Sequence, residues 1–121
     1  MKKELESDIQ IQIVEYLTLM APSRGFFFFS CPNEAMGQAR GKGGLARMAK
    51  LKRMGLRPGV ADLVIIKAGR AYFLEVKRHD GKMSQNQKDF AILALSHDAF
   101  YAVVYSFDES VKTLQSWDIV E

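Results

Sequence analysis

The sequence is poor in cysteine and histidine, which removes several kinds of site. Cys31 is the single cysteine among 121 residues, so an internal disulfide and a multi-cysteine zinc site are both excluded. We expect Cys31 to be a packed small residue in a reducing compartment. His79 and His97 are too few and too far apart in the sequence to indicate a histidine-based metal cluster.

Long hydrophobic runs are also missing. No apolar run approaches the roughly 20 residues that a membrane-spanning helix needs. The run Phe26–Phe29 is short and predicts a buried strand. The chain opens on Met1-Lys2-Lys3 and continues into acidic, helical sequence, so we expect no signal peptide. A hydrophobic content of 48% indicates a folded, soluble protein. The length of 121 residues predicts a single domain over residues 1–121, and the lone cysteine makes the cytoplasm the default location.

Acidic residues are absent from one long segment, residues 35–61. That segment holds seven of the 17 basic residues, so the net charge of +3 would become −4 without it. Such local basicity is expected of a surface that contacts nucleic-acid phosphates. A solvated face, or a target peptide for an acidic partner, would have the same composition. The seven predicted nucleic-acid-binding residues are Arg40, Lys42, Arg47, Lys50, Lys52, Arg53 and Arg57.

Hydrophobic periodicity predicts alternating helices and strands. Helices are expected over residues 4–20, around Leu45, Met48 and Leu51, over 84–96 with Phe90, Ala91, Ala94 and Leu95 on the core face, and over 108–117. Pro22 and Gly25 predict a loop over residues 21–25. Strands are expected over 26–30, in a hairpin over 59–77, and over 100–106. This order predicts an α/β domain with a central mixed sheet flanked by helices.

The predicted hairpin carries charge where a buried strand rarely has any. Asp62 lies in the first run, Gly59-Val60-Ala61-Asp62-Leu63-Val64-Ile65-Ile66, and Glu75 and Lys77 lie in the second, Tyr72-Phe73-Leu74-Glu75-Val76-Lys77. An unpaired charge in an apolar core is costly. Three charged residues in these positions therefore indicate a site that holds a divalent metal and cleaves a phosphodiester.

The turn decides whether the two acids meet. A two- or four-residue loop within Lys67-Ala68-Gly69-Arg70 places Asp62 directly opposite Glu75, with Cβ atoms about 4.5–5.5 Å apart. Carboxylates at that distance repel unless a cation lies between them, and Mg²⁺ is held by one or two carboxylates with waters and phosphate. A three-residue loop would break this register. Independently of the loop, Asp62 could simply cap a strand end, and Glu75 with Lys77 could lie on the solvent face of an edge strand.

Two helix beginnings offer further polar residues. Glu6 projects onto the helix face of Ile13 and Leu17, so it could point at the hairpin site. Acids also favour helix N-termini through the helix dipole. A capping box of Ser7 and Gln10 would instead begin the helix at Ser7 and leave Glu6 outside it. At the later helix, Ser84 and Gln87 match the same capping box.

Taken in order, these pieces resemble the VRR-NUC branch of the PD-(D/E)XK nuclease superfamily. The resemblance covers residues from about 6 to 104. Its motifs are Glu6 in the first helix, Pro32-Asn33-Glu34, Met54-Gly55-Leu56, Gly59-Val60-Ala61-Asp62-Leu63, Glu75-Val76-Lys77 and Gly81-Lys82-Met83-Ser84-Gln85-Asn86-Gln87. The chain departs from the family at Ala61, where members commonly have proline. That proline shapes the start of the strand and is not a ligand.

The resemblance implies a restriction-endonuclease-like core and a metal-dependent nuclease. It implies Asp62 and Glu75 as ligands of Mg²⁺ or Mn²⁺, with Glu6 and the Val76 carbonyl completing the site. Lys77 would lie beside the attacking water, and Gln87 near the active site. Small stand-alone members are similar to bacterial or phage proteins, and some resemble homodimeric resolvases of four-way (Holliday) junctions.

The sequence thus predicts a Mg²⁺- or Mn²⁺-dependent DNA endonuclease, selective for branched DNA and acting as a homodimer. Three other functions fit parts of the pattern. A non-catalytic DNA-binding module would keep the fold without cleaving, and a restriction-type enzyme would read a short sequence. A basic adaptor would bind an acidic protein without nucleic acid.

Overall fold

The computed structural model describes residues 5–32 and 43–121. These residues form an α/β fold in which a mixed four-stranded sheet is flanked by helices, as predicted. In chain order the elements are α1 (Glu6–Arg24), β1 (Phe26–Ser30), α2 (Gly44–Arg53), β2 (Leu63–Lys67), β3 (Arg70–Val76), α3 (Gln85–Ser96), β4 (Phe100–Val104) and α4 (Phe107–Ser116). None of the helices in this part of the chain is long and apolar enough to cross a membrane.

The strands lie in sequence order, β1-β2-β3-β4. The pairs β1–β2 and β2–β3 are antiparallel, whereas β3 and β4 are parallel. A parallel pair needs a crossover, and α3 supplies it. The sheet is therefore a hairpin meander whose last strand returns over a helix.

A two-residue turn joins β2 to β3. Lys67 pairs with Arg70, and Ala68 and Gly69 between them have φ values of 52° and 76°. Two positive φ angles define the mirror-image turn whose twist matches a hairpin. The register that follows pairs Leu63 with Leu74, which agrees with the register predicted from the sequence.

The first helix is longer than predicted. It runs through Pro22 to Arg24, and Gly25 ends it in the left-handed conformation, donating its N–H to the Ala21 carbonyl at 3.0 Å. The predicted loop over 21–25 was therefore wrong, because a proline in the last turn removes one helical hydrogen bond without stopping the chain. The Ser7–Gln10 capping box was also wrong. Leu5 is the N-cap, and Glu6 is the first helical residue.

The main core lies between α1, α4 and one face of the sheet. Ile9, Ile13 and Leu17 of α1 are buried there against strand residues that include Leu63, Ile65, Leu74, Val76 and Val104. Helix α3 packs on the opposite face, where the Phe90 ring meets that of Phe73 edge-on at 5.0 Å. The two faces of the sheet thus differ, and α3 covers the face that carries the odd-numbered residues of β3.

Four predicted details of packing and extent were wrong. The run Phe26–Phe29 was predicted as a buried strand, but it forms the edge strand β1, in which Phe27 is 60% exposed and Phe29 is 45% exposed. Of the apolar residues predicted to face the core, Met48 of α2 is buried, but Leu45 is 84% exposed and Leu95 of α3 is 56% exposed. The sequence pattern gave these helices a wider apolar face than the fold can cover. The last strand ends at Val104 rather than residue 106, because Ser106 is already the N-cap of α4.

Gly59 lets the segment before β2 lie directly against α3. Its φ is +84°, and a side chain there would overlap the backbone carbonyl of Asn86 and approach the amide of Gln87. Only glycine combines this φ with so close an approach. Gly59 therefore fixes the position of the first turn of α3.

We expect Gly59→Ala to destabilise the fold more than Gly69→Ala. Both positions have positive φ, which costs alanine about 1–2 kcal/mol. At Gly59 an alanine Cβ would also clash with the backbone of Asn86, whereas the Cβ position at Gly69 is open. Urea unfolding of the two variants measures the difference. Equal losses would contradict the close packing of Gly59 on α3.

Candidate active site

Asp62 lies at the start of β2, beside the end of β3. Leu63 pairs with Leu74, so the next residues outward are Asp62 and Glu75. Asp62 Oδ2 accepts a hydrogen bond of 2.7 Å from the Val76 amide, and its carbonyl accepts one of 2.9 Å from the Cys31 amide. The bond from Val76 therefore fixes the Asp62 carboxylate, and the bond from Cys31 fixes the Asp62 backbone.

Glu75 is almost completely buried, with 1% of its surface exposed. Its Oε1 accepts a hydrogen bond of 3.0 Å from Gln87 Nε2. Its Oε2 is buried without a hydrogen-bond partner in the described residues. Buried carboxylate oxygens are nearly always satisfied, so this atom needs either a proton shared with Asp62 or a bound cation.

Burial raises the pKa of Glu75 to about 8, and the negative charge of Asp62 adds to the shift. Burial also raises the pKa of Asp62, although the bond from Val76 opposes this. Two neighbouring carboxyl groups in a dry site cannot both ionise cheaply. Without a cation they share a proton, which gives Glu75 a hydrogen bond to donate to Asp62.

Lys77 brings a positive charge to the same face of the hairpin. Its Nζ lies 4.0 Å from Glu75 Oε1, and the residue is only 9% exposed. Phe73, Glu75 and Lys77 share this face because strand side chains alternate. The ammonium lowers the pKa of Glu75, but burial and Asp62 outweigh it.

Gln87 has the two roles that the sequence left open, and they are compatible. Its Oε1 accepts from the Ser84 amide at 2.8 Å, and Ser84 Oγ accepts from the Gln87 amide, which completes the predicted capping box. Its Nε2 donates to Glu75. The capping box therefore orients the Gln87 side chain so that its Nε2 donates to the buried Glu75 carboxylate.

Glu6 lies at the rim of the site rather than in its centre. The Glu6 side chain is exposed, and its Oε2 lies 3.4 Å from the point where a Gly81 Cβ would be. The same point is 3.3 Å from Lys77 Cβ. The charge of Glu6 contributes a smaller part of the raised pKa values of Asp62 and Glu75, so its carboxylate lies within electrostatic range of them.

The predicted basic residues are exposed where the structure describes them. Arg47, Lys50, Lys52 and Arg53 are on α2, whose buried residues are Gly44 and Met48. Arg57 lies in the loop before β2, close to α3. Arg40 and Lys42, like Asn33 and Glu34 of the family motif, lie outside the described residues.

Tyr101 is a residue near the site that the sequence analysis missed. It is on β4, opposite Phe73, and its hydroxyl is buried without a hydrogen-bond partner in the described ranges. Burial raises the pKa of Tyr101, and the charges of Glu75 and Asp62 add to the effect. Only the parallel pairing of β4 with β3 brings it here, and nothing in the local sequence predicts that pairing.

The donor set fits a hard divalent cation. Across residues 5–32 and 43–121, no group of three or more His, Cys, Asp or Glu side chains has the arrangement of a metal centre. Asp62 and Glu75 still offer converging oxygens, and one of these has no partner. Mg²⁺ typically takes only one or two protein carboxylates, with waters and substrate phosphate as its other ligands.

Comparison with solved structures identifies the fold. One, described as a VRR_NUC domain protein, is 18% identical with a TM-score of 0.74, covering 97% of this chain and 90% of that one. Another, described as a VRR_NUC domain, is 22% identical with a TM-score of 0.59, covering 92% of this chain and 94% of that one. No family model and no curated protein matches the sequence. The chain therefore has the VRR-NUC fold, as its motifs predicted.

In metal-free buffer, we expect the free energy of unfolding to fall as pH rises from 5 to 8. The pKa of Glu75 is 4.5 in the unfolded chain and about 8 in the folded protein. Between these values the folded state binds one proton more than the unfolded state, and the stability that this proton gives is lost as pH rises toward 8. In the wild type the free energy of unfolding should fall by on the order of 1–3 kcal/mol between these pH values, and in Glu75→Gln this fall should be absent.

Urea titrations with EDTA at the two pH values measure this difference. Glu15→Gln, at an exposed position of α1, is the matched control and should keep the wild-type pH dependence. The same pH dependence in Glu75→Gln would show that Glu75 ionises normally.

Proposed function

We propose that this chain is a member of the VRR-NUC family and a metal-dependent endonuclease that hydrolyses DNA phosphodiester bonds. The Asp62–Glu75 pair carries the proposal, because Glu75 is only 1% exposed and its buried Oε2 has no hydrogen-bond partner in the described residues. Well-packed apolar residues in place of buried charges are often neutral or stabilising, so the fold alone does not require these acids. The likeness to VRR_NUC domain structures supports the same conclusion.

Asp62 and Glu75 would hold Mg²⁺ or Mn²⁺, with Glu6 and the Val76 carbonyl as further donors, and the bound ion would polarise the phosphoryl oxygen and lower the pKa of a water. Gln87 holds the Glu75 carboxylate in place by its 3.0 Å hydrogen bond. The Val76 amide does the same for Asp62. These bonds keep both carboxylates oriented before substrate arrives.

Lys77 is the proposed catalytic cation. Its ammonium is 4.0 Å from Glu75 and nearly buried, so little water screens its charge. In that position it would orient the attacking water and stabilise the negative charge that develops on the phosphate. A fixed charge in a dry site needs little reorganisation during the reaction.

The exposed basic residues would bind DNA through its phosphates. Such contacts give affinity but no sequence information, which suits recognition of DNA shape. We propose branched DNA, including the four-way junction, as substrate and a symmetric homodimer as the active form. Two copies would supply two cuts and a longer basic surface, in the cytoplasm of a bacterial or phage-infected cell.

We expect Mg²⁺ to raise the melting temperature of the wild type without DNA. Binding to the folded state alone stabilises it in proportion to ligand concentration. Asp62→Asn should abolish most of the shift, since it removes half of the carboxylate pair. Asp98→Asn, at an exposed position, is the matched control and should respond like the wild type. An unchanged shift in Asp62→Asn would place the metal elsewhere.

Lys77→Met should reduce cleavage about 10²–10³-fold while leaving DNA affinity nearly unchanged, because the lost charge acts on the transition state. The measurement is product analysis on a Holliday junction, a flap and a plain duplex, with and without Mg²⁺. Lys112→Met, on the exposed side of α4, controls for the loss of one positive charge.

Each outcome of this assay has a distinct meaning. Cuts at branch points support the structure-selective enzyme, and cuts at a consensus sequence support a restriction-type one. Salt-sensitive binding without metal-dependent products would identify a non-catalytic DNA-binding module. Cleavage by Lys77→Met at the wild-type rate would contradict the proposed catalytic role of Lys77.

A further inference from the structure

A groove of about 290 Å³ runs between the loop that precedes β2 and one face of α3. Its lining is part polar and part apolar. The residues that line it are Arg57, Pro58, Asn86, Asp89, Phe90 and Leu93. None of them is a proposed metal ligand, so the groove is separate from the carboxylate pair.

The groove begins next to the candidate active site. The Gly59 backbone lies against the backbone of Asn86 and Gln87 in the first turn of α3. Gln87 donates to Glu75, and its neighbour Asn86 lines the groove. Because Asn86 and Gln87 are adjacent in α3, a DNA strand at the carboxylates would have a neighbouring nucleotide near the groove.

The groove matches the chemistry of a nucleotide. Pro58, Phe90 and Leu93 provide an apolar wall, and contacts with Phe73 at 5.0 Å and Tyr101 at 6.1 Å hold the Phe90 ring in place. Flat, apolar base faces pack on such surfaces.

Polar groups line the rest of the groove. Asp89 Oδ1 accepts a hydrogen bond of 2.8 Å from Gln85, which orients its carboxylate, and Asn86 offers both a donor and an acceptor. These groups suit the polar edge of a base. Arg57 is exposed, and its guanidinium suits a phosphate in charge and geometry.

The size of the groove selects for an unpaired nucleotide. Its volume lies near the lower end of the range for small-molecule sites, about 300–1,000 Å³. A base within a duplex is stacked on both faces and paired at its edge, so it must leave the helix to enter such a groove. Unpaired nucleotides at a branch or bulge enter at a much lower cost.

We propose that the groove between Arg57 and α3 binds one unpaired nucleotide of the substrate, with its phosphate on Arg57 and its base against Phe90 and Leu93. This inference rests on the proposed function, because it takes DNA as the substrate. It supplies a physical source of selectivity for flaps, bulges and other branches that carry an unpaired nucleotide, since perfect duplex leaves the groove empty.

The test is DNA binding in EDTA, which prevents cleavage, measured by fluorescence anisotropy. The probes are a duplex with one unpaired nucleotide, the same duplex with an abasic residue at that position, and a fully paired duplex. The wild type should bind the first probe about 10-fold more tightly than the other two, the equivalent of one stacked base.

Leu93→Glu should remove this preference by placing a carboxylate in the groove. Ile92→Glu, the next residue on the same helix but 68% exposed and outside the groove, adds the same charge and should keep the preference. Arg57→Ala should weaken binding of the first probe more than Lys112→Ala does. Equal effects of Leu93→Glu and Ile92→Glu, or no preference in the wild type, would overturn the proposal.

Cleavage with Mg²⁺ on the same probes distinguishes this failure from failure of the nuclease proposal. Metal-dependent cleavage without preference for the unpaired nucleotide would support the nuclease proposal and contradict the groove proposal. Preferential binding of the unpaired-nucleotide probe in EDTA, without any cleavage in Mg²⁺, would support the groove proposal and contradict the nuclease proposal.

Discussion

The convergence of two buried carboxyl groups, Asp62 and Glu75, is the constraint on which the rest of the site depends. Both lie where desolvation opposes their ionisation, and burial raises the pKa of each. A stable fold gains nothing from this arrangement unless something positive comes to it. Lys77 supplies part of that charge from 4.0 Å, and the remaining deficit is what makes the site suited to a cation.

Three separate elements hold that pair together. The β2–β3 hairpin sets the two backbones side by side, the Val76 amide fixes Asp62, and the first turn of α3 fixes Glu75 through Gln87. Gly59 then sets where that turn lies. The groove depends on the same contact, because Asn86 and Pro58, which line it, lie at that contact or next to it.

Much of the site could be predicted from local sequence, because its main residues lie on one hairpin. Alternating apolar residues and a short turn determine that Asp62 and Glu75 meet, and a capping box places Gln87. Tyr101 could not be found this way, since its position depends on pairing between strands that α3 separates. The end of α1 was missed because Gly25, rather than Pro22, terminates the helix. Exposure of Leu45 likewise depends on what the fold leaves uncovered.

The two-residue turn at Ala68-Gly69 has a consequence for how this chain can change over time. Strand side chains alternate, so one inserted residue in the turn would slide β3 by one position and send Glu75 toward the core of α1. Loops elsewhere on the surface tolerate insertions, but this one cannot lengthen by a single residue without dismantling the acid pair. Homologues that keep the chemistry should therefore differ in sequence at this turn far more readily than in length.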